Sequence, residues 1–391
     1  MSKGEGFSGM NRREFLKVGL AGTTSAFVGG NAFAEVVQHA TSEPFVFPAP
    51  VYRTLGRTGM KISTVSFGAM LTPEAEVIRI ALAHGVNYVD TARKYMGGKN
   101  EEIVGKALKG MRDKVYVATK TPPASKSKED IIKDVETSLK TLETDHVDVI
   151  QLHNITGADK DRLFFPETRE ALLKLKKDGK VNFFGVTTHK NQAEVLNALV
   201  DDKDRFFDTA LVAYNFKSDK SITEAIARAS KANIGIIAMK TQGGGYTTKE
   251  MGLISPNQAA IKWVLQNTNV TAAIPGMRNM AELREDIAVM GMPFQYADER
   301  ILQRYSAAIE PYYCTLCGHC EGTCPQRVEI STINRSLMYA EGYKSSELAR
   351  ATYREAAVSA SACFECSDCV AQCVRGLNIA AKMAQARTML G

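Results

Sequence analysis

The sequence predicts a (β/α)8 barrel over residues 51–298, followed by a mostly helical, cysteine-rich domain over 299–391. Three observations carry this reading. Eight short apolar runs of β-forming residues alternate with helix-length amphipathic segments. The stretch that holds them is about 250 residues long, the usual size of one such barrel. All eight cysteines of the 391-residue chain fall from position 314 onward, as two copies of one spacing.

Residues 1–34 read as an export signal. Asn11-Arg12-Arg13-Glu14-Phe15-Leu16-Lys17 precedes a moderately apolar, Gly- and Ala-containing stretch and then Ala32-Phe33-Ala34. Adjacent arginines, the Phe-Leu-Lys continuation and a small-x-small ending match a twin-arginine signal cleaved after Ala34. The expected location is the periplasm, reached through the twin-arginine export machinery; an uncleaved signal would tether the protein to the membrane. No other stretch is long and apolar enough to span a bilayer. Residues 35–50, punctuated by Pro44, Pro48 and Pro50, form a linker. The formal charge is +6; four cations against two carboxylates in the signal take away +2, and the remaining +4 is too weak and dispersed for nucleic-acid binding.

Short extended pieces at Tyr52 to Leu55 and Met60 to Ser63, joined through Gly56 and Gly59, predict a hairpin plugging the barrel bottom. The eight strands are expected at Thr64 to Met70, Val86 to Ala92, Val115 to Lys120, Val147 to His153, Val181 to Thr187, Thr209 to Phe216, Ile234 to Lys240 and Thr271 to Gly276. Between them run amphipathic helices such as Lys128 to Leu142, Glu170 to Lys177 and Asn191 to Leu199, with stops at Gly85, Gly110 and Gly179. Strand alternating with helix eight times points to closed parallel pairing.

Chemistry in such a barrel sits where the strands end. Three successive strands end on polar groups: Asp90 with Tyr95 in the loop beyond it, then Lys120, then His153. A strand-end Asp can simply cap a helix and a strand-end His can be a satisfied core residue, so the signal is the constellation. An ammonium near a phenol lowers its pKa, a carboxylate holds the ammonium, and the histidine orients a substrate oxygen. The set suits protonating a carbonyl oxygen as hydride reaches its carbon, or the reverse.

The cysteine runs are Cys314-x2-Cys317-x2-Cys320-x3-Cys324-Pro325 and Cys363-x2-Cys366-x2-Cys369-x3-Cys373. This is similar to the ligand run of bacterial ferredoxins and predicts two 4Fe-4S clusters. Zinc would use paired C-x2-C knuckles with four ligands per ion, and an exported chain with an even cysteine count could form disulfides. The runs also repeat beyond their cysteines: Val328 and Ile330 correspond to Leu377 and Ile379, a duplicated unit. Val374 stands where the proline after the fourth cysteine is expected. Between the runs, Ile333, Leu337 and Met338 fall at helical spacing.

From Tyr52 to Met290 the chain resembles the aldo-keto reductases. The motifs are Tyr52-Arg53-Thr54-Leu55-Gly56-Arg57-Thr58-Gly59, Asp90-Thr91-Ala92-Arg93-Lys94-Tyr95, Asn100-Glu101-Glu102-Ile103-Val104-Gly105, Ala118-Thr119-Lys120, Gln151-Leu152-His153 and Ile274-Pro275-Gly276-Met277-Arg278. With the tail it looks like the ferredoxin-fused branch. The resemblance implies Tyr95 as general acid, Lys120 and Asp90 as its tuners, and His153 as the residue that orients a small carbonyl or alcohol. It also implies a nicotinamide dinucleotide, NADP(H), stacked on Tyr214, approached by the backbone of Gly243 and Gly244, and met at its adenosine end by Arg278 and Glu285. Thr188 and Leu211 stand where the family grips the carboxamide with Asn and Gln, and Asp286 replaces a usual Asn.

Three functions stay open on the sequence. One is an exported carbonyl–alcohol oxidoreductase whose clusters wire it to a redox partner protein. Another is an iron-sulfur electron-transfer protein whose barrel does not turn over nicotinamide. The third is a binding or assembly subunit with structural clusters.

Overall fold

The computed structural model describes residues 45–246 and 251–391. The twin-arginine motif at Arg12 and Arg13, the cleavage point after Ala34 and most of the linker lie outside the described residues. The hairpin comes first: β1 (Tyr52–Thr54) pairs antiparallel with β2 (Lys61–Ser63), Tyr52 opposite Ser63. Its turn needs glycine at Gly56, which has positive φ and leaves no room for a side chain, since a Cβ would stand 2.3 Å from the Gly235 nitrogen. Leu55, Met60 and Ile62 enter the barrel and join Tyr88, Val149 and Leu211 in its interior core. The hairpin therefore closes the end opposite the chemistry.

Eight parallel strands follow in chain order: β3 (Phe67–Gly68), β4 (Tyr88–Asp90), β5 (Tyr116–Thr121), β6 (Val147–Leu152), β7 (Val181–Thr188), β8 (Thr209–Ala213), β9 (Gly235–Met239) and β10 (Ala272–Ala273). Every one falls on or overlaps an expected run. Parallel bridges Val65↔Ala273 and Gly68↔Gly276 join the first strand to the last. The Ser66 N–H donates to Ala273 O at 2.9 Å and Ala273 N–H to Thr64 O at 2.8 Å.

The outer helices are α1 (Ala75–Ala83), α2 (Asn100–Leu108), α3 (Lys128–Leu142), α4 (Pro166–Lys177), α5 (Gln192–Asp201), α6 (Lys220–Lys231), α7 (Pro256–Gln266) and α8 (Met280–Ile287). Helix α3 shows why they form. Ser127 Oγ accepts from the Asp130 N–H at 3.1 Å, and Ile131, Val135, Leu139 and Leu142 make a stripe buried on the sheet. Each such side chain contributes about 1.5–3 kcal/mol of burial before the entropy of ordering is charged against it. Gly85, Gly110 and Gly179 take positive φ just past α1, α2 and α4, as expected of helix stops.

Helix α9 (Tyr296–Ile309) crosses the expected boundary at residue 298 and packs on α7, with Ile301, Leu302 and Tyr305 against Ala259 and Ala260. A buried Lys262–Asp298 ion pair at 2.5 Å lies in the same contact. The tail continues through α10 (His319–Gly322), α11 (Ile330–Glu341), α12 (Ser346–Tyr353) and α13 (Ile379–Leu390). Its core gathers Val328, Ile330, Leu337, Leu377, Ile379 and Met383, so both halves of the duplicated motif meet in one place. Met70 and Tyr246 of the barrel pack against that core, and residues 47–391 form one unit. Among the described residues no helix is long and apolar enough to cross a membrane.

Candidate active site

Alternation along the strands selects the groups that reach the barrel's C-terminal mouth. In β4, Tyr88 points inward and Val89 outward, so Asp90 points inward. The same parity sends Lys120 inward after Ala118, and Gln151 and His153 inward after Val149. Lys120 Nζ donates to Asp90 Oδ1 and, at 2.6 Å, to Thr91 O, while Gln151 Nε2 donates to Asp90 Oδ2 at 2.8 Å. Burial pushes the Asp90 carboxyl up and the Lys120 ammonium down, in each case against the pull of the other.

The loop carrying Tyr95 is pinned by the residues that follow it. Asn100 accepts from Thr91 Oγ1 at 2.7 Å and donates to Ala69 O at 2.7 Å, and the buried Glu101 accepts from Thr119 Oγ1 at 2.6 Å. Tyr95 lies over the pair, its ring centroid 4.8 Å from Lys120 Nζ, and its ring meets that of His153 edge-on at 6.0 Å. Its hydroxyl has no hydrogen-bond partner among the described residues and faces a cavity of about 970 Å³. The structure thus brings Asp90, Tyr95, Lys120 and His153 together. It corrects one expectation: the phenol is not acidified. Burial first, then the charge of Asp90, push Tyr95 well up and outweigh the nearby Arg335, because the Lys120 charge is taken up by Asp90. Burial and the surrounding cations hold the His153 imidazole well below its ordinary value, so it is neutral.

Three of the expected cofactor residues, Tyr214, Gly243 and Gly244, lie off the cavity wall. Tyr214 follows Ala210 and Val212 outward; its ring stands 5.1 Å from Trp263 in α7 and its hydroxyl accepts from Asn267 Nδ2 at 3.2 Å, away from the cavity. Thr188 is likewise on the outward parity and donates to Lys190 O at 3.0 Å, while Leu211 is in the interior core. Gly243 and Gly244 meet protein: a Cβ on Gly243 would strike Phe216 and one on Gly244 would strike Tyr246, with Met338 of α11 next. Arg278 and Glu285 do line the far end of the cavity. Arg278 is ion-paired with Glu282 and donates to Tyr343 O at 2.7 Å; Glu285 accepts from Ser255 Oγ.

Sequence reasoning missed the groups that the tail brings. Helix α11 lays Arg335 and Tyr339 on the mouth, with Tyr343 just beyond. Lys240 lies 4.6 Å from the Tyr339 ring centroid and 4.9 Å from that of Tyr343. His189, inward by the parity of β7, completes the wall, and its Nδ1 is buried with no partner among the described residues, as is Asn154 Oδ1.

The cysteines assort across the two runs. The electrostatic neighbours of Cys314 are Cys320, Cys317 and Cys373, whereas those of Cys363 are Cys324, Cys369 and Cys366. Cys314, Cys317, Cys320 and Cys373 line one small cavity. Backbone N–H groups of Leu316 and Arg375 donate to Cys314 Sγ and Cys373 Sγ, each at 3.4 Å. All eight are free thiols, and burial pushes Cys314 and Cys320 up to about 12. Among the described residues no three His, Cys, Asp or Glu side chains converge as a single metal ion requires.

Comparison with known proteins gives this closed parallel barrel its class. Residues 65–252 match the sequence model of the aldo/keto reductase family. An L-galactose dehydrogenase of Arabidopsis thaliana is 26% identical over 303 residues, covering 66% of this chain and 94% of the relative. A methylglyoxal reductase of Escherichia coli is 25% identical over 59% of this chain and 84% of its own length. Among solved structures, a putative aldo-keto reductase from Pseudomonas aeruginosa superposes with TM-score 0.51 at 27% identity, over 65% of this chain and 96% of that one. A Klebsiella pneumoniae aldo/keto reductase solved with NADP and acetate gives TM-score 0.56 at 23% identity, over 65% and 95%, a likeness of fold. The protein is an oxidoreductase of aldo/keto reductase type.

Proposed function

We propose that the protein interconverts a small carbonyl and its alcohol at Tyr95 in the periplasm, and that its tail holds two 4Fe-4S clusters serving a redox partner protein. One observation carries the catalytic half: an unpartnered Tyr95 hydroxyl faces the cavity beside a neutral His153 and above the Lys120–Asp90 pair. A phenol pushed up by burial stays protonated, so it can donate to a carbonyl oxygen as that oxygen gains negative charge. His153 hydrogen-bonds the same oxygen and sets the carbonyl's direction. The Lys120–Asp90 pair compensates the tyrosinate left after donation, and in alcohol oxidation the proton moves back to Tyr95.

NADP(H), when bound, supplies or accepts the hydride. The cavity runs from Tyr95 to Glu285, and two orphaned polar atoms on its wall, Asn154 Oδ1 and His189 Nδ1, fit a carboxamide. Ser255, Arg278 and Glu285 would hold the adenosine end. The clusters, when bound, supply one-electron transfer. The crossed sets Cys314, Cys317, Cys320, Cys373 and Cys363, Cys366, Cys369, Cys324 fit them, because thiolates on separate irons stand further apart than ligands of one ion. Export as a folded protein fits clusters built in a reducing compartment.

Substituting Tyr95 by Phe is expected to lower carbonyl reduction roughly 10²–10⁴-fold with the cluster spectrum intact; unchanged turnover removes Tyr95 from the mechanism. A second reading, an electron-transfer or binding protein whose barrel turns over no nicotinamide, is favoured by Thr188 and Leu211 leaving the family's two carboxamide grips without a free polar group. NADP(H) released on denaturing protein purified anaerobically from the periplasm supports the first; an empty barrel supports the second.

A further inference from the structure

The catalytic end of the cavity holds more positive charge than the chemistry at Tyr95 uses. Lys94, Lys240 and Arg335 line it and Lys120 lies beneath; the carboxylates there are Asp90, paired with Lys120, and Glu355, half exposed and 3.5 Å from Arg335. Lys240 has no carboxylate partner among the described residues; its partners are the phenols of Tyr339 and Tyr343, which are neutral hydrogen-bonding groups rather than counter-charges.

One of these cations is held out of bulk water, and a second, half-buried, is turned into the cavity by its backbone. Arg335 is 9% exposed, and its Nε is buried with no hydrogen-bond partner among the described residues. Lys240 follows β9, whose alternation would turn it outward, but it adopts φ 57 and its side chain reaches the cavity. Asn215 Nδ2 fixes that turn by donating to Lys240 O at 2.9 Å. A left-handed lysine is a strained conformation kept at a functional position. An unmet buried donor is costly, and a ligand that meets it recovers the cost. The charges are felt where reaction occurs: after burial, Lys120, Arg335, Lys94 and Lys240 are what depress His153. The other end is the reverse, with Glu282, Glu285 and Asp286 on its wall and Arg278 tied to Glu282.

We propose that the substrate carries a carboxylate beside its reacting group, and that Arg335 and Lys240 bind that carboxylate while Tyr95 and His153 face the reacting oxygen. This rests on the carbonyl–alcohol reading of the site and names its substrate class: oxo acids and the corresponding hydroxy acids. The guanidinium offers a planar fork that matches a carboxylate, and Lys240 adds a second charge. Because Arg335 belongs to α11, the barrel alone has half of this site.

The test is calorimetric binding to the full, anaerobically prepared chain with its clusters, using benzoylformate and its uncharged methyl ester. The acid is expected to bind at least about tenfold more tightly than the ester, with Arg335→Gln cutting that preference to below about threefold and Arg335→Lys restoring part of it. Lys240→Gln is expected to act in the same direction and serves if Arg335→Gln does not fold. Equal binding of acid and ester, or a preference that survives both substitutions, overturns the proposal. So does competition between NADP⁺ and benzoylformate, which would assign the cations to a cofactor phosphate. Tyr95→Phe separates the two readings: the acid preference persists in it, and turnover that also persists sinks the role of Tyr95 while the carboxylate site stands.

Discussion

Lys120→Met removes one partner of a pair that is almost wholly out of water. Asp90 is 2% exposed and Lys120 1%. The carboxylate has two protein donors, Lys120 on one oxygen and Gln151 on the other, so the substitution leaves it with a neutral amide alone. Removing one member of a buried pair costs about 3–5 kcal/mol, chiefly because the remaining charge is stranded. If that is the cause, neutralising the stranded charge recovers most of the loss. Lys120→Met combined with Asp90→Asn is therefore expected to lie within about 2 kcal/mol of the parent protein, a strongly non-additive result. The pH dependence has a fixed sign. Burial already raises the Asp90 carboxyl, and loss of the ammonium raises it further, so the folded variant binds a proton that the unfolded chain has released. Its deficit relative to the parent protein is smallest below the ordinary carboxyl range, about pH 3.9, and widens as pH rises through the elevated value. The single tryptophan, Trp263 in α7, reports barrel unfolding in an anaerobic denaturant titration. A double variant as unstable as the single one would refute the stranded-charge argument.

Three further outcomes are expected. His153 and His189 are both held well below the ordinary imidazole value, so the unfolded chain binds more protons and stability falls as pH drops below about 6.5; an NMR midpoint for His153 at or above that value contradicts this. Gly342→Ala places a Cβ 2.0 Å from Gly244 O and is expected to destabilise the protein by about 1–3 kcal/mol, read as a lower melting temperature. Cys373→Ser is expected to alter the same reduced-cluster resonance signal as Cys317→Ser, although it lies in the other run, and Cys324→Ser the same signal as Cys366→Ser; the opposite pairing would show that the clusters are not crossed.

The strand order, the hairpin and the four mouth residues were legible because they follow from period-two alternation and from strand ends. The same rule, applied more strictly, would have moved Tyr214 and Thr188 to the helix layer, since they share parity with Val212 and Val186, and would have added His189 to the mouth and Gln151 to the support beneath it. Lys240 was out of reach of any parity argument, because its left-handed backbone breaks the alternation and turns the side chain into the cavity. Arg335 and Tyr339 were hidden for a different reason. Their spacing on α11 reads as helix packing, and nothing local says that this helix lands on a barrel mouth more than ninety residues upstream of it in Lys240.

That landing has its own sequence cause, visible only in pairs. A Cβ on Gly342 would stand 2.0 Å from Gly244 O, while one on Gly244, at positive φ, would meet Tyr246 and Met338, so the glycine run after β9 is a close-packed docking surface for the end of α11. Around it the contacts are polar and specific. Lys190 pairs with Glu321 inside the first cysteine run, and the adjoining Gly318 takes φ 76, a left-handed conformation that favours glycine. Asn215 donates both to Lys240 O and, at 2.8 Å, to the hydroxyl of Tyr313, the residue before Cys314. One amide thus ties the strained lysine of the mouth to the start of the cysteine run. A tail added only to carry electrons would need proximity and no more. This tail instead packs on the barrel segment that carries Lys240 and supplies part of the cavity wall, Arg335, Tyr339 and Tyr343 among it.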